Sequence, residues 1–157
     1  MKILGLLACF LCFNAASETL SGKVIGVSDG DTLTVLVDQS PIKIRVAGSD
    51  APEKAQAFGQ RSKQSPSDCA FGKLINVEWR KLDRYGRTIG KVISNDTDCG
   101  LRQIEVGLAW HYKAYVKEQN STDQARYADA EKQARKAKTG IWSDAEPETP
   151  WDFRHKK

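Results

Sequence analysis

Three early stretches of the chain, residues 24–27, 33–37 and 42–46, concentrate β-branched residues. In the third, Ile42, Ile44 and Val46 alternate with Lys43 and Arg45, the period of a strand with one buried face. Asp29-Gly30 and Asp38-Gln39-Ser40-Pro41 separate these stretches as turns, so an antiparallel meander is predicted. After Pro52, Glu53, Lys54, Ala55 and Gln56 suit a first helical turn. Pro66 is predicted to break that helix near residue 65, with Ser65 and Asp68 able to cap a second short piece.

Two more strands, 74–79 and 88–93, flank the turn Asp83-Arg84-Tyr85-Gly86-Arg87, and a short helix over 101–106 ends at Gly107. The clearest amphipathic pattern covers 122–138, with Tyr127, Ala130, Ala134 and Ala137 on one face. Ser121 and Gln124 form its predicted capping box and Gly140 its terminator. Beyond Trp142, Pro147 and Pro150 mark a tail, 147–157, that either packs through Trp151 or hangs free. Five strands with a helix after the third and helices trailing the fifth predict an α+β fold, an OB-fold five-stranded β-barrel spanning residues 18–146.

A length of 157 residues, 40% hydrophobic and 28% charged, fits one compact core. The first residues change the picture. Lys2, an apolar run over 3–13 and the small residues Ala15, Ala16 and Ser17 read as a secretory signal peptide cut after Ser17. The run is too short for the ~20 residues of a spanning helix, and a lipoprotein reading through Cys9 leaves too short an apolar segment. The mature chain is therefore expected in the periplasm or outside the cell, free of membrane.

Cys9 and Cys12 leave with the signal, and Cys69 and Cys99 remain in an oxidising compartment, which suggests one disulfide. Zinc is the competing reading, but two cysteines with no nearby histidine cannot complete a tetrahedral site. The formal charge of +4 falls to +3 without Lys2, which permits a nucleic-acid partner without requiring one.

The candidate chemistry lies in Asp29-Gly30-Asp31-Thr32, Arg45, Asp50-Ala51-Pro52-Glu53 and Asp83 to Arg87. Each piece alone has a bland reading as a hairpin turn, a helix start or a solvated arginine. Together they place acids and arginines at the ends of neighbouring strands. Carboxylate oxygens select a hard cation such as calcium, although no glutamate stands where an EF-hand loop from Asp29 or Asp31 would need one.

These four motifs, in this order and spacing, resemble the signatures of the staphylococcal nuclease (thermonuclease) family. Gly107-Leu108-Ala109-Trp110, the helix from Thr122 and Gly140-Ile141-Trp142 are similar to its later landmarks. The resemblance implies a calcium-dependent nuclease that cleaves DNA and RNA with little sequence preference and leaves 3′-phosphate ends. It implies Asp31 and Asp50 as carboxylate ligands of Ca2+, Ala51 as a carbonyl ligand, and Asp29 just behind them. Glu53 would orient or deprotonate the attacking water, and Arg45 and Arg87 would hold the phosphate. Tyr85, Tyr112 and Tyr115 are candidates for base stacking, with surface packing the competing reading for Tyr112 and Tyr115.

Trp79, Trp110 and Trp142 are assigned to packing, and His111 and His155 receive no catalytic role. The chain departs from the family pattern at Ala51, where threonine is familiar, at Ser49, where an apolar residue is common, and at Pro66. The alternative is a non-catalytic OB-fold module that binds single-stranded nucleic acid. The complete set of Asp31, Asp50, Glu53, Arg45 and Arg87 argues for the enzyme. DNA and RNA are the expected partners of a monomer with no stable protein partner.

Overall fold

The computed structural model describes residues 17–156; the predicted signal peptide, apart from Ser17, lies outside them. Among the described residues no helix is long and apolar enough to cross a membrane. Strands β1 (Glu18–Val27), β2 (Thr32–Val37) and β3 (Ser40–Val46) form the expected meander. After a two-residue strand β4 (Ser49–Asp50) and helix α1 (Gly59–Ala70), β5 (Leu74–Leu82) pairs with β1 and β6 (Thr88–Ser94) with β5. A parallel pairing of β3 with β6 closes the five strands into a barrel. Leu33, Val35, Ile44, Val46, Ile75, Val77 and Val92 fill it from alternate positions.

The first strand starts well before residue 24. Residues 18–23 are mostly exposed and pair with β5 through the backbone, from Glu18 opposite Trp79 to Lys23 opposite Leu74. Such a segment carries no apolar alternation for pattern reading to detect.

Two helix expectations are corrected. Residues 53–58 form turns, and α1 begins only at Gly59, because Phe58 stands in the left-handed region (φ 64°) and interrupts the helical path. Pro66 does not break α1, which runs through it without interruption. A proline lacks the N–H that would bond the carbonyl four residues back. That carbonyl, of Ser62, instead accepts from Gln103 Nε2 at 3.2 Å, and the same amide reaches Ser62 Oγ at 2.9 Å. The backbone defect is thus satisfied from another helix.

Beyond β7 (Thr97–Asp98) follows α2 (Cys99–Glu105), whose first turn is capped by Asp98 accepting from Leu101 N at 3.1 Å. A disulfide joins Cys69 at the end of α1 to Cys99 at the start of α2, as the cysteine count suggested. For a separation of 30 residues the chain-entropy contribution is about 3 to 4 kcal/mol.

After β8 (Trp110–His111), α3 spans Ser121–Lys136. Its cap is Asn120 rather than Ser121: Asn120 Oδ1 accepts from Asp123 N at 2.8 Å. Its terminator is Lys138 (φ 52°) rather than Gly140, with Thr139 N bonding back to Ala134 O. Between the barrel and these helices lies a polar cluster. Tyr127 Oη donates to Asp98 Oδ2 (2.9 Å), while Lys91 Nζ meets Asp123 Oδ2 (2.9 Å) and Asp98 Oδ2 (3.6 Å).

The tail packs. Thr149 caps a final helix α4 (Pro150–His155), its hydroxyl accepting from Asp152 N at 3.2 Å, and Trp151 lies edge-on to Trp110 with ring centroids 5.6 Å apart. Trp110 and Trp142 are buried and Trp79 is partly buried against the barrel, in keeping with their assignment to packing.

Candidate active site

One cleft opens where β2 begins, β3 ends and β6 begins, and every acid and arginine singled out in the sequence lines it. The turn between β1 and β2 supplies its floor. Asp31 N donates to Asp29 Oδ1 at 3.1 Å, which holds the turn and places Asp29 behind Asp31. Gly30 is required by space: a Cβ there would stand 2.2 Å from Ser62 Oγ and 2.6 Å from Ala51 Cβ.

Asp50 comes from the opposite side. It lies on β4, whose register with β8 sets Asp50 against Trp110 and Ser49 against His111. Arg45 ties the two acids together, its Nη2 standing 2.9 Å from Asp50 Oδ1 and 3.2 Å from Asp31 Oδ2. Its Nη1 donates to the carbonyls of Val46 (2.8 Å) and Ser49 (2.9 Å), so the guanidinium is fixed by four groups. Ser49 is buried, and its departure from an apolar residue leaves its hydroxyl without a partner while its carbonyl still positions Arg45. Ala51 is buried beside Asp31 and donates its N–H to Asp31 Oδ2 at 2.8 Å.

Burial pushes the Asp31 carboxyl up to about 7; Arg45 opposes this, while Asp29 and Asp50 add to it. Asp31 and Asp50 thus hold more negative charge than Arg45 balances.

Glu53 sits at the rim, its N–H donating to Gln56 Oε1 at 3.1 Å. Arg87 opens β6. Asp83 Oδ2 accepts from its Nε at 2.7 Å, and Asp83 Oδ1 accepts from the N–H groups of Tyr85 and Arg87, both at 2.9 Å. Burial works against the Asp83 charge, but these donors hold its carboxyl below the usual range. Thr32 links the arginine to the acids: its hydroxyl accepts from Arg87 Nη1 at 3.4 Å and donates to Asp31 Oδ1 at 3.3 Å.

The tyrosines divide. Tyr85 is exposed, with the Arg84 and Arg87 guanidiniums 5.2 and 5.5 Å from its ring centroid. Tyr112 N donates to Gly48 O at 2.9 Å, which continues the β4–β8 ribbon, and its ring packs on Tyr115 and Trp151. His111 is buried, its Nε2 2.8 Å from Gln119 Oε1, and His155 Nδ1 lies 2.7 Å from Trp151 O at the surface; neither pairs with a site acid.

The donor set fits a hard cation. It offers two adjacent buried carboxylates and only oxygen ligands from side chains, with the burial that raises the Asp31 carboxyl favouring a bound cation. Among the described residues, no three His, Cys, Asp or Glu side chains converge as a metal cluster. Glu53 is turned to Arg154, and Asp29 to the Asp31 backbone.

A family model described as Staphylococcal nuclease homologue matches residues 43–144. The chain belongs to the staphylococcal nuclease family. A relative from Shigella flexneri named micrococcal nuclease is 38% identical over 142 residues, covering 85% of this chain and 79% of its own length. An uncharacterized endonuclease of Haemophilus influenzae is 36% identical over 154 residues (97% of this chain, 83% of the relative). One from Escherichia coli O157:H7 is 37% identical over 139 residues (88% and 87%). The matched stretch of this nuclease-family chain includes Arg45, Asp50, Glu53 and Arg87; the Asp29–Thr32 turn precedes it and α4 follows it.

Sequence reading placed Thr32 and Asp83 in the candidate cluster without a role, which the structure supplies through their bonds to Arg87, and it missed Arg154 altogether. For Arg154 a signal existed, because Thr149, Pro150 and Asp152 carry the cap, first-turn proline and third-position acid of a helix start.

Proposed function

We propose that this protein is a calcium-dependent nuclease that hydrolyses phosphodiester bonds of DNA and RNA with little sequence preference and leaves 3′-phosphate ends. The observation that carries this reading is the convergence of Asp31 and Asp50 on Arg45 Nη2, in the same cleft as Glu53 and Arg87. Asp31 and Asp50 would hold the ion through carboxylates and Ala51 through its carbonyl. Bound there, calcium supplies a Lewis acid that polarises the phosphate.

The chain's own groups do the rest. Arg45, anchored at Nη1 by the carbonyls of Val46 and Ser49, presents its remaining N–H groups to a phosphate oxygen, and Arg87, anchored at Nε by Asp83, presents its other nitrogens to the same phosphate. Charge that grows on the phosphate in the transition state meets two fixed guanidiniums. Glu53, close to the metal ligands yet open to solvent, holds the attacking water and accepts its proton. Tyr85, flanked by two arginines, offers a face for base stacking, which is tolerant of sequence.

Export to the periplasm or beyond the cell fits the Cys69–Cys99 disulfide, a bond that persists in oxidising compartments. Purified protein incubated with plasmid DNA, with calcium and then with EDTA, tests the central reading. Cleavage with calcium and none in chelator is expected; undiminished cutting in excess chelator would overturn the metal assignment.

A further inference from the structure

The helix α4 lies across the acid end of the cleft. Gln56 Nε2 donates to Glu148 O at 2.6 Å, which anchors the approach, and Trp151 stacks on Tyr112 with centroids 6.0 Å apart. These contacts deliver Arg154 to the site. Its Nη2 stands 2.8 Å from Asp50 Oδ2, and its Nη1 3.2 Å from Asp50 Oδ1 and 3.0 Å from Glu53 Oε1. One guanidinium thus grips both the carboxylate assigned to the metal and the one assigned to the water.

A divalent cation on Asp50 would stand beside this arginine, and like charges at such range repel. Arg45, fixed by backbone carbonyls, cannot leave; Arg154 can. Its side chain is 41% exposed, and α4 is a six-residue helix, too short to persist without its docking contacts.

We propose that α4 is a tethered competitor of calcium: Arg154 neutralises Asp50 and Glu53 in the metal-free protein, and calcium loading is coupled to release of the helix. This rests on the calcium-nuclease reading above. When a site is open in only a fraction of molecules, apparent affinity falls by that fraction, so a helix docked about ten times more often than free lowers calcium affinity about tenfold. The device would keep the protein inactive where calcium is scarce and admit it where calcium is abundant.

The test is calcium binding by isothermal titration calorimetry on the full chain without nucleic acid, for the wild type, Arg154→Ala and Trp151→Ala. Both substitutions should tighten calcium binding, by roughly 3-fold to 10-fold. Trp151→Ala matters most, because it keeps the Arg154 charge and loosens only the helix. Calcium should also change the tryptophan emission of the wild type but not of Trp151→Phe. Tighter binding in Arg154→Ala alone would reduce the effect to local charge and overturn coupled release. Equal or weaker affinity in both variants would overturn the proposal outright while leaving the nuclease reading intact. Absence of calcium binding in all three proteins would overturn both.

Discussion

Two pairs of aspartates sit in this protein, each bridged by a cation, and they are built to opposite ends. Asp98 and Asp123 share Lys91 and are further supplied by Tyr127 Oη, Leu101 N and Asn120 Nδ2, all from the barrel, the helices packed on it and their caps. Asp31 and Asp50 share Arg45, but their remaining positive charge comes from Arg154 on a helix that ends the described chain. A buried acid pair closed by the body of the fold is structural. One whose charge balance is completed from the periphery has capacity for a ligand.

The largest effect that would sharpen this contrast is loss of Glu53. Glu53→Gln keeps size and leaves Asp31 and Asp50 in place, so the rate at saturating calcium should fall by about 10² to 10⁴ while the protein stays folded. Steady-state cleavage of plasmid DNA reads this. Recovery toward the wild-type rate at high calcium would move Glu53 from the water to the metal. Asp31→Asn should behave differently, losing activity at low calcium and regaining part of it as calcium rises, because occupancy is its main defect.

The structural pair should respond in stability instead. Lys91→Met leaves Asp98 and Asp123 facing each other half-compensated, and should cost about 2 kcal/mol in denaturant unfolding with little change in turnover per folded molecule. A rate lost in proportion to the wrong quantity, with unfolding unchanged, would erase the distinction between the pairs.

The smallest effect has the opposite sign. In calcium-free protein the Asp31 carboxyl is raised from 3.8 to about 7, so the folded state binds the proton more tightly than the unfolded chain does. Asp31 therefore favours folding below about pH 4, and this contribution is lost as pH rises toward 7. Asp31→Asn, uncharged throughout, should melt a few degrees higher than the wild type at pH 8 in EDTA and show a flatter decline between pH 4 and 7. Identical melting curves would mean that Asp31 is not strained by its surroundings.

The strands of the barrel and the acids and arginines of the cleft were legible in the sequence because each had a local mark. Ile42, Ile44 and Val46 alternate, and Asp29 to Thr32 and Asp50 to Glu53 stand at strand ends. What escaped depended on contacts between distant segments. Residues 18–23 are a strand because β5 lies beside them, Phe58 delays α1 through a left-handed backbone, and Arg154 reaches Glu53 across 101 positions. In the tail, Thr149, Pro150 and Asp152 do carry the local marks of a helix start, but nothing local to them points to Asp50 or Glu53.

Pro66 and Gln103 carry a consequence for how this sequence can change. With proline in place, the Ser62 carbonyl depends on Gln103 Nε2. Replace Pro66 by alanine, and the helix supplies its own donor, so Gln103 loses part of its purpose. The order of substitution then decides the outcome. Gln103→Leu first strands a buried carbonyl, at about 1 to 3 kcal/mol; after Pro66→Ala the same change meets a carbonyl already paired. Lineages that keep the proline are held to the glutamine, and those that lose it are free to wander, so the two positions should share a history although 37 residues separate them.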